Sequence, residues 1–454
     1  MTPDANDLCV FAVKRGFITG RFDVRNLMYS QSLSGKKQEK VSLGSVTSEE
    51  PCYGTSATAI ERTDESLPKY IRITDFDDFG IESNHTFVTA ENYAEKHILK
   101  NGDILFARTG ATVGKTYYYD GSIGKAVFAG YCIRFRFDDK KVIPKFIYWY
   151  TKTAAFTNWV KGIQRPSGQP NINKEEYKSF EIILPDYETQ GKLCAEMDLA
   201  EAKRKQKFQH ADELLAGMSS YILSTLNIAP IRFDSQLCCQ VKMSDIVSDK
   251  TFSAEYYHPE RMAAISNMKD ACGSNVQKLI DIVDFCRDIV SCNESKSKYL
   301  GLAGVESQTG ELSGVEEDAA GQAFKYEIDD VLYGRLRPYL NKVIRAEEPG
   351  ICSTEFHVMR IKDQSVILPE YLATIMRSDL ILSQTKHMMT GNTHPRISND
   401  DVQNLYVPVP EIAMQERIVK DLIEHREEAR RLKQEAEQEW AAAKAQFEKE
   451  VLGE

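Results

Sequence analysis

Hydrophobic and polar positions follow two different periods along this chain. Before position 186, the β-rich runs are 70–74, 103–107, 125–137 and 180–184, and the helical runs are 144–160 and 173–177. This mixture predicts an α/β (mixed α+β) domain. From residue 186 to 226, apolar residues recur at alternating spacings of three and four, which predicts one long amphipathic helix of coiled-coil type. A break at 227–240, with Pro230 inside it, precedes a second α/β pattern and a second long helix.

The whole pattern is repeated in the second half of the chain at one constant offset. The repeated positions are Pro144, Phe146, Pro170, Ile172, Pro185 and Gln190, and their counterparts are Pro369, Tyr371, Pro395, Ile397, Pro410 and Gln415. Such a long repeat unit indicates a duplicated head plus helix rather than an array of short modules. We therefore predict a first head at 1–185, a first long helix at 186–230, a second head at 231–409 and a second long helix at 410–454.

The apolar stripes of the two long helices are expected to pack on each other. The stripes contain Leu193, Met197, Phe208, Leu215 and Ile222 in the first helix, and Ile418, Leu422, Leu432 and Trp440 in the second. A helix of roughly 40 residues is about 60 Å long, whereas a linker of roughly 14 residues spans less than about 50 Å. The second helix is therefore predicted to run back antiparallel, in a dumbbell with a head at each end. An amphipathic helix packed on its own head would show a similar stripe, so that alternative stays open.

Composition is that of a soluble globular protein with two or three domains, since 42% of its 454 residues are hydrophobic and 27% are charged. No apolar run approaches the roughly 20 residues of a membrane span, and no targeting segment is apparent at the start. The ten cysteines are scattered without paired spacing. We predict a cytoplasmic protein with no membrane contact.

The charge distribution differs between the two heads. The net charge of -10 argues against a generic nucleic-acid binder. Residues 1–185, however, carry 25 basic and 22 acidic side chains, whereas residues 235–409 carry 18 and 25. Within the first head, residues 96–145 contain ten basic and four acidic side chains interleaved with aromatic ones, which favours a local phosphate-binding patch.

Two basic turns are the first candidates for binding. Gly102 to Lys115 form a turn, a buried strand and a glycine-rich basic loop, and the second half has an arginine-rich segment at the equivalent place. The candidate DNA-binding residues are Arg108, Thr109 and Lys115 in the first half, and Arg335, Arg337, Tyr339 and Lys342 in the second. Such arginines can reach guanine edges or grip phosphates. Surface salt bridges and glycines that serve only tight turns are the alternatives. The loop lacks the first glycine of a P-loop.

Two polar, amide-rich loops before predicted helix starts are the second candidates. Their candidate residues are Arg165, Ser167 and Gln169 in the first half, and Asn392, Thr393, His394 and Arg396 in the second. Glutamine and asparagine suit adenine edges. The same residue types are also ordinary cap and turn formers, and that alternative stays open as well.

Catalytic chemistry is not apparent in the sequence. No Asn-Pro-Pro-aromatic methyltransferase motif and no His-Glu-x-x-His motif are present, and the pairs Glu175-Glu176 and Asp329-Asp330 are better interpreted as helix-start or turn residues than as nuclease metal ligands. We predict no catalytic residue, no metal ligand and no cofactor in this chain. A protein-interaction scaffold is the alternative function, and the acidic second head favours it. A third interpretation is an enzyme whose site carries no recognisable motif, which would require turnover by the isolated chain.

Several motifs together resemble the specificity subunit of type I restriction-modification systems. They are the Gly-Asp-Ile-Leu-Phe-Ala-Arg-Thr-Gly-Ala-Thr-Val-Gly-Lys segment at 102–115, the polar loop before Asn171, the Leu-Pro-x-x-x-x-Gln entry into a long helix at 184–190, and the duplication of this plan. The resemblance implies two target recognition domains that each read one half of a bipartite double-stranded DNA site. It also implies helices that act as a ruler and dock methyltransferase subunits. S-adenosylmethionine, ATP and Mg would then be held by those subunits and by restriction/translocase subunits. Because Arg335-Leu336-Arg337-Pro338 replaces Arg108-Thr109-Gly110-Ala111, the two heads are expected to read different sequences.

Overall fold

The computed structural model describes residues 40–82, 85–163, 170–233, 240–249, 251–292, 297–319, 321–391 and 393–453. The chain forms two compact units. Unit 1 contains the described residues up to Lys205 together with those from Ala436 onward, and unit 2 contains those from Gln206 to Glu435. Both units mix helices with sheets, which confirms the predicted class. The division falls inside the two long helices, and the four predicted domain ranges stay predictions.

The elements of unit 1 surround a four-stranded sheet. The strands are β1 Lys40–Ser42, β2 Cys52–Tyr53, β3 Ala59–Ile60, β4 Lys69–Ile71, β5 Thr89–Ala90, β6 Asp103–Ala107, β7 Thr116–Tyr119, β8 Ala126–Phe128, β9 Cys132–Phe135 and β10 Glu181–Ile183. The helices are α1 Pro144–Tyr150, α2 Ala154–Ile163, α3 Lys174–Lys178 and the first part of α4 Tyr187–Thr225. The antiparallel sheet has the order β2-β9-β6-β7, β4 pairs with β8 in parallel, and β1 with β10 and β3 with β5 form antiparallel pairs.

Both faces of the central strand β6 are buried. Ile104 and Phe106 belong to the core that includes the aromatic side chains of α1 and α2, whereas Leu105 and Ala107 belong to a separate core with Phe76. Alternation with a period of two explains this split, because successive side chains of a strand point to opposite faces. The strand is therefore a rigid support for the residues that follow it.

Two sequence predictions in unit 1 are wrong in detail. The helix predicted at 144–160 is interrupted between α1 and α2, because the hydroxyls of Thr151 and Thr153 donate to the carbonyls of Tyr148 and Tyr150 at 2.6 and 2.7 Å. The strand predicted at 125–137 is divided into β8 and β9, and the Cys132 amide donates to the Ala129 carbonyl in the turn between them.

Unit 2 has a second four-stranded sheet of the same type. Its strands are β11 Val276–Lys278, β12 Val283–Cys286, β13 Ile289–Ser291, β14 Tyr299–Leu300, β15 Gln322–Tyr326, β16 Val331–Gly334, β17 Val343–Arg345, β18 Gly350–Ser353, β19 Phe356–Ile361 and β20 Tyr406–Pro408. Its helices are α5 Met243–Asp249, α6 Pro259–Cys272, α7 Leu279–Ile282, α8 Pro369–Met376, α9 Asp379–Thr385, α10 Asn399–Gln403 and most of α11 Ile412–Leu452. The sheets have the orders β12-β19-β16-β17 and β13-β15-β18-β14, and β11 pairs with β20.

The long helix α4 has well-defined ends. At its start, the Asp186 carboxylate accepts the Thr189 amide at 2.9 Å, which caps the first turn. At its end, Asn227 adopts a left-handed conformation with φ of 55°, and the Ile228 amide donates to the Leu223 carbonyl at 2.8 Å. These signals explain why the predicted end at residue 226 is close to the observed one. Among the described residues, no helix has the length and apolar character that crossing a bilayer needs.

One buried glutamine attaches each long helix to its head. Gln190 is 1% exposed, its side-chain oxygen accepts the Ile143 amide at 2.9 Å, and its side-chain nitrogen donates to the Pro185 carbonyl at 2.8 Å. Gln415 is fully buried and makes the equivalent bonds with the Leu368 amide and the Pro410 carbonyl. Both side chains thus satisfy buried backbone groups beside a helix start that has no side-chain cap.

The predicted stripe residues lie on the inner faces of the long helices within each unit. The fully buried ones are Leu193, Met197, Ile222, Ile418, Leu422 and Trp440, and the half-buried ones are Phe208, Leu215 and Leu432. In unit 1, Lys192 pairs with Glu450 at 3.4 Å and Arg204 with Glu437 at 2.6 Å. In unit 2, Lys207 pairs with Glu435 at 3.0 Å and Asp212 with Lys433 at 2.8 Å. Within each unit, the pair that lies further along α4 therefore has its partner nearer the start of α11.

Trp440 is the aromatic anchor of α11 in unit 1. It is 7% exposed, and its ring centroid lies 5.8 Å from those of Phe79 and Trp149. We expect Trp440→Ala to lower the free energy of unfolding by about 3–5 kcal/mol, because the substitution leaves a large cavity. Leu199→Ala is the matched control, since Leu199 is 57% exposed and its loss should cost less than about 0.5 kcal/mol. Urea unfolding followed by circular dichroism measures both, and equal losses would contradict the packing role.

His357 is a buried imidazole on β19 of unit 2. It is 5% exposed and lies beside the rings of Phe285 and Tyr333. Burial, followed by the charge of Arg335, lowers the pKa of His357 from 6.5 to about 4. The folded state therefore disfavours the protonated ring, so stability is complete above pH 6.5 and is lost as the pH falls toward 4.

We expect this histidine to cause a loss of about 2 kcal/mol in unfolding free energy between pH 7.5 and pH 5. His357→Phe should remove that part of the pH dependence, because the new ring cannot bind a proton. Tyr333→Phe retains the imidazole and should retain the slope. Urea unfolding at both pH values tests the difference, and identical slopes for His357→Phe and the parent protein would refute it.

Candidate nucleic-acid interface

In unit 1, the predicted arginine stands in a turn that follows the central strand β6. The Arg108 amide donates to the Tyr131 carbonyl at 3.0 Å, and the Arg108 carbonyl accepts the Ile172 amide at 2.9 Å. The Gly110 amide donates to the Pro170 carbonyl at 3.1 Å. Backbone bonds on both sides thus fix the turn against segments that are distant in the chain. We call this turn and its counterpart in unit 2 the arginine turns.

The Arg108 side chain is held by an aromatic ring. Its guanidinium lies 4.7 Å from the ring centroid of Tyr53, whose hydroxyl accepts the Lys174 amide at 3.3 Å. Such a cation–π contact orients the planar guanidinium group. The Nε atom of Arg108 is buried and has no hydrogen-bond acceptor among the described residues. Sequence reasoning missed Tyr53, which lies on the separate strand β2 and carries no motif.

Three further positions of the glycine-rich loop are buried or half-buried. Thr109 is buried and bridges to Asn171, and Lys115 is half-buried. Gly114 has a φ of 90°, and a Cβ atom there would lie 2.7 Å from Cγ1 of Val160. For Gly114, the alternative of a tight-turn glycine is therefore correct.

In unit 2, the same backbone scheme holds the second arginine turn after β16. The Arg335 amide donates to the Glu355 carbonyl at 2.9 Å, and the Arg335 carbonyl accepts the Ile397 amide at 3.1 Å. The Arg337 amide donates to the Pro395 carbonyl at 2.7 Å. The paired positions Ile172 and Ile397 belong to the sequence repeat.

The side chains of the second arginine turn are arranged differently. Arg337 adopts a left-handed conformation with φ of 49°, and its Nη2 atom donates to the Thr393 carbonyl at 3.5 Å. The Nε atoms of Arg335 and Arg337 are buried and have no acceptor within the described part of the chain. Tyr339 is 44% exposed. Lys342 instead donates to the Leu302 carbonyl at 2.7 Å, which is a structural contact.

The predicted residues of the amide-rich loops divide into three groups. Thr393 and His394 are exposed beside the second arginine turn. Arg396 forms a forked ion pair with Glu355, with Nη2 and Oε1 2.8 Å apart, so the salt-bridge alternative applies to it. The residues Arg165, Ser167, Gln169 and Asn392 lie outside the described residues.

A buried aspartate paired to an arginine supports the central strand in each unit. Asp103 is fully buried and accepts two bonds from Arg136 at 2.7 and 2.8 Å, while Asp330 accepts two from Arg360 at 2.8 Å each. Each aspartate also accepts a backbone amide three residues earlier, at 2.7 Å. Because these bonds occupy both oxygens of Asp330, it fits the interpretation of a turn residue rather than a metal ligand.

The arginine turns can therefore donate hydrogen bonds but offer no chemistry of bond cleavage. Each places guanidinium groups beside exposed or half-buried polar residues at the end of a rigid strand. Guanidinium donors in a fixed fork match the acceptor pairs of guanine edges and phosphates. These features suit binding to a negatively charged polymer that presents a pattern of hydrogen-bond acceptors.

Comparisons with known proteins agree with this interpretation. The family described as type I restriction modification DNA specificity domain matches residues 39–207 and 309–439. The type I restriction enzyme EcoDI specificity subunit of Escherichia coli is 26% identical over 120 residues, and the match spans only 26% of this chain and 26% of that protein.

Solved structures are similar over most of the chain. One of them comes from work on complex assembly and conformational transition of the type I R-M system. The match covers 91% of this chain and 96% of that chain, at 14% identity and a TM-score of 0.52, so the two chains share a fold. The type I restriction-modification S subunit of M. genitalium covers 92% and 96%, at 13% identity and a TM-score of 0.45. The family match includes more than half of the chain. It confirms the predicted resemblance, and this chain belongs to the family of type I restriction-modification DNA specificity domains.

Proposed function

We propose that this chain is the non-catalytic subunit that recognises the DNA sequence in a type I restriction-modification complex. The observation that carries the proposal is the arginine at the end of the central strand in both units. Arg108 and Arg335 are held by one backbone scheme, and each has a buried Nε without an acceptor among the described residues. A buried donor without a partner is costly. Guanine edges and phosphates offer the acceptors that would satisfy it.

The two heads are proposed to be duplicated target recognition domains. The sheets β2-β9-β6-β7 and β12-β19-β16-β17 have matching strand orders. An aspartate paired to an arginine lies at the start of β6 and just before β16, and both long helices begin with a buried glutamine clamp. The curated relative in Escherichia coli carries the name of a specificity subunit, which supports the same assignment. Each head would read one half of a bipartite site.

The half-sites are proposed to differ in sequence. The first arginine turn offers one guanidinium stacked on Tyr53, together with Lys115. The second offers Arg335 and Arg337, with a Glu355 carboxylate nearby that already binds Arg396. Because base readout depends on the placement of a few donors and acceptors, turns with such different side chains favour different bases. The predicted DNA-binding residues therefore remain candidates for contact with DNA.

We further propose that α4 and α11 form an antiparallel coiled coil that sets the spacing of the half-sites and docks methyltransferase subunits. Support comes from the reversed order of the ion pairs within each unit and from the burial of the predicted stripe residues. Both helices also carry many exposed charged residues, which suit contact with other subunits.

The chemistry of the complex is assigned to its partners. In this proposal the methyltransferase subunits hold S-adenosylmethionine, and restriction/translocase subunits use ATP and Mg. This chain contributes recognition alone, and it works in the cytoplasm because its substrate would be double-stranded chromosomal DNA.

Methylome sequencing tests the recognition role. Deleting the gene in a cell that carries the whole system should abolish one bipartite adenine-methylation motif, because the methyltransferase subunits would lose their only source of target selection. Complementation with the intact gene should restore that motif and no other. Persistence of every methylated motif in the deletion strain would reject the proposal.

Exchanging single arginines tests the assignment of heads to half-sites. Arg335→Ala or Arg337→Ala should weaken binding by about 1–3 kcal/mol when the DNA has the correct base in one half-site. The same variants should weaken binding much less when that base has been replaced. Arg108→Ala should do the same for the other half-site. Arg417→Ala is the control, since Arg417 is exposed on α11 outside both arginine turns. Competition binding of the reconstituted complex measures these values.

The same binding assay separates the proposal from the protein-scaffold alternative. Binding of the complex to DNA should weaken as salt rises, because phosphate contacts release counterions. An equal loss for all DNA sequences in the arginine variants would identify phosphate contacts instead of base readout. Complexes that show no salt-dependent DNA binding would favour the scaffold.

A further inference from the structure

A cluster of two imidazoles and one carboxylate lies in unit 2, separate from the arginine turns. His258 and Glu260 stand at the start of α6, and His387 follows the end of α9. Potential ligand atoms of the three side chains all lie within 4.8 Å of one another. The Nε2 atom of His387 is 2.8 Å from Oε2 of Glu260. Two segments that are far apart in sequence thus converge on one point.

We propose that His258, Glu260 and His387 form a binding site for a divalent transition metal, with Zn²⁺ as the expected ion. Two imidazole nitrogens and one carboxylate oxygen are the donor set that favours zinc and its neighbours over Mg²⁺ or Ca²⁺, which prefer oxygen alone. Three protein ligands leave a fourth position for water on a tetrahedral ion. The two histidines are half-buried, so an ion can enter from solvent.

The carboxylate is oriented by residues behind it. Glu260 is 5% exposed, and its Oε1 atom accepts bonds from the Ser383 hydroxyl, at 3.2 Å, and from the Lys386 ammonium. Oε2 is left to face His387. Contacts of this kind orient the ligands of metal sites. The Lys386 charge opposes a cation, so this residue should limit the affinity.

The two imidazole rings already lie face to face. The imidazoles of His258 and His387 are stacked with centroids 3.4 Å apart and planes 13° from parallel. Two ligand atoms on a tetrahedral ion with bonds of about 2.0–2.1 Å are about 3.3 Å apart, so ligand atoms that now lie within 4.8 Å of one another would draw closer around the ion. Parallel rings direct their lone pairs side by side, so one ring must turn about its Cβ–Cγ bond, a torsion with a broad energy minimum.

The contact that a metal would replace at His258 is a weak one. The Nδ1 atom of His258 accepts the Glu260 amide at 3.3 Å, which is long for a hydrogen bond. Burial and the neighbouring His387 lower the pKa of His258. An ion bound here would join α6 to the segment after α9, and would therefore stabilise unit 2 without contacting either arginine turn.

Titration with Co²⁺ provides the direct test. The purified full-length chain, freed of metal with a chelator, should bind one equivalent of Co²⁺ with the visible absorption of a tetrahedral site, and Zn²⁺ should displace it. Intense near-ultraviolet thiolate bands should be absent, because the ligands are nitrogen and oxygen. Zn²⁺ should also raise the melting temperature, since it binds the folded state.

Variants make the test specific. His387→Gln and Glu260→Gln should each weaken Co²⁺ binding on the order of tenfold or more. Lys386→Met should strengthen it, a gain that a variant damaged in folding would not show. His210→Gln, on an exposed part of α4, is the matched control and should bind as the parent does. Unchanged binding in both ligand variants, a thiolate spectrum, or no binding at all would overturn the proposal.

Discussion

The buried glutamine at the start of each long helix is the interaction on which the rest of the structure depends. Gln190 and Gln415 bond to an amide before a helix start in the head and to the proline carbonyl before their own helix. Removing either side chain would leave buried backbone groups unsatisfied, at about 1–3 kcal/mol for each group. Each glutamine thus fixes the direction in which its long helix leaves the head. The stripe residues can then meet the opposite helix within the same unit.

A second constraint fixes the arginine turns. The central strands β6 and β16 are buried on both faces, and Asp103 and Asp330, at or just before their starts, are held by Arg136 and Arg360. The strand ends in a turn that is bonded on both sides to distant backbone, around Tyr131 and Ile172 in unit 1. Such a frame needs nothing from the arginine side chain itself. The Arg108 side chain is half-buried, and its Nε has no acceptor among the described residues.

The two units share the contacts of this frame but not the side chains of the arginine turns. The frame residues Asp103, Arg136 and Gln190 have counterparts with equivalent bonds in unit 2. The side chains of the turns have no such equivalence, since Arg108 stacks on the ring of Tyr53 and Arg337 stands where unit 1 has Gly110, although both of these positions have a positive φ. A turn can therefore carry different side chains in the two units while the sheet below it keeps equivalent contacts.

Local sequence signals were enough to predict the mixed architecture, the two long helices with their apolar stripes, and the family. These features depend on local periodicity, caps such as Asp186 and repeated short motifs, which act between residues close in the chain. The contacts of each polar side chain follow instead from the tertiary structure. It interrupted the predicted helix at Thr151, paired Arg396 with Glu355, placed Tyr53 under Arg108 and brought His258 near His387. Apart from the interruption at Thr151, these contacts join residues that are distant in the chain. Packing of whole elements sets such contacts, and no local pattern records it.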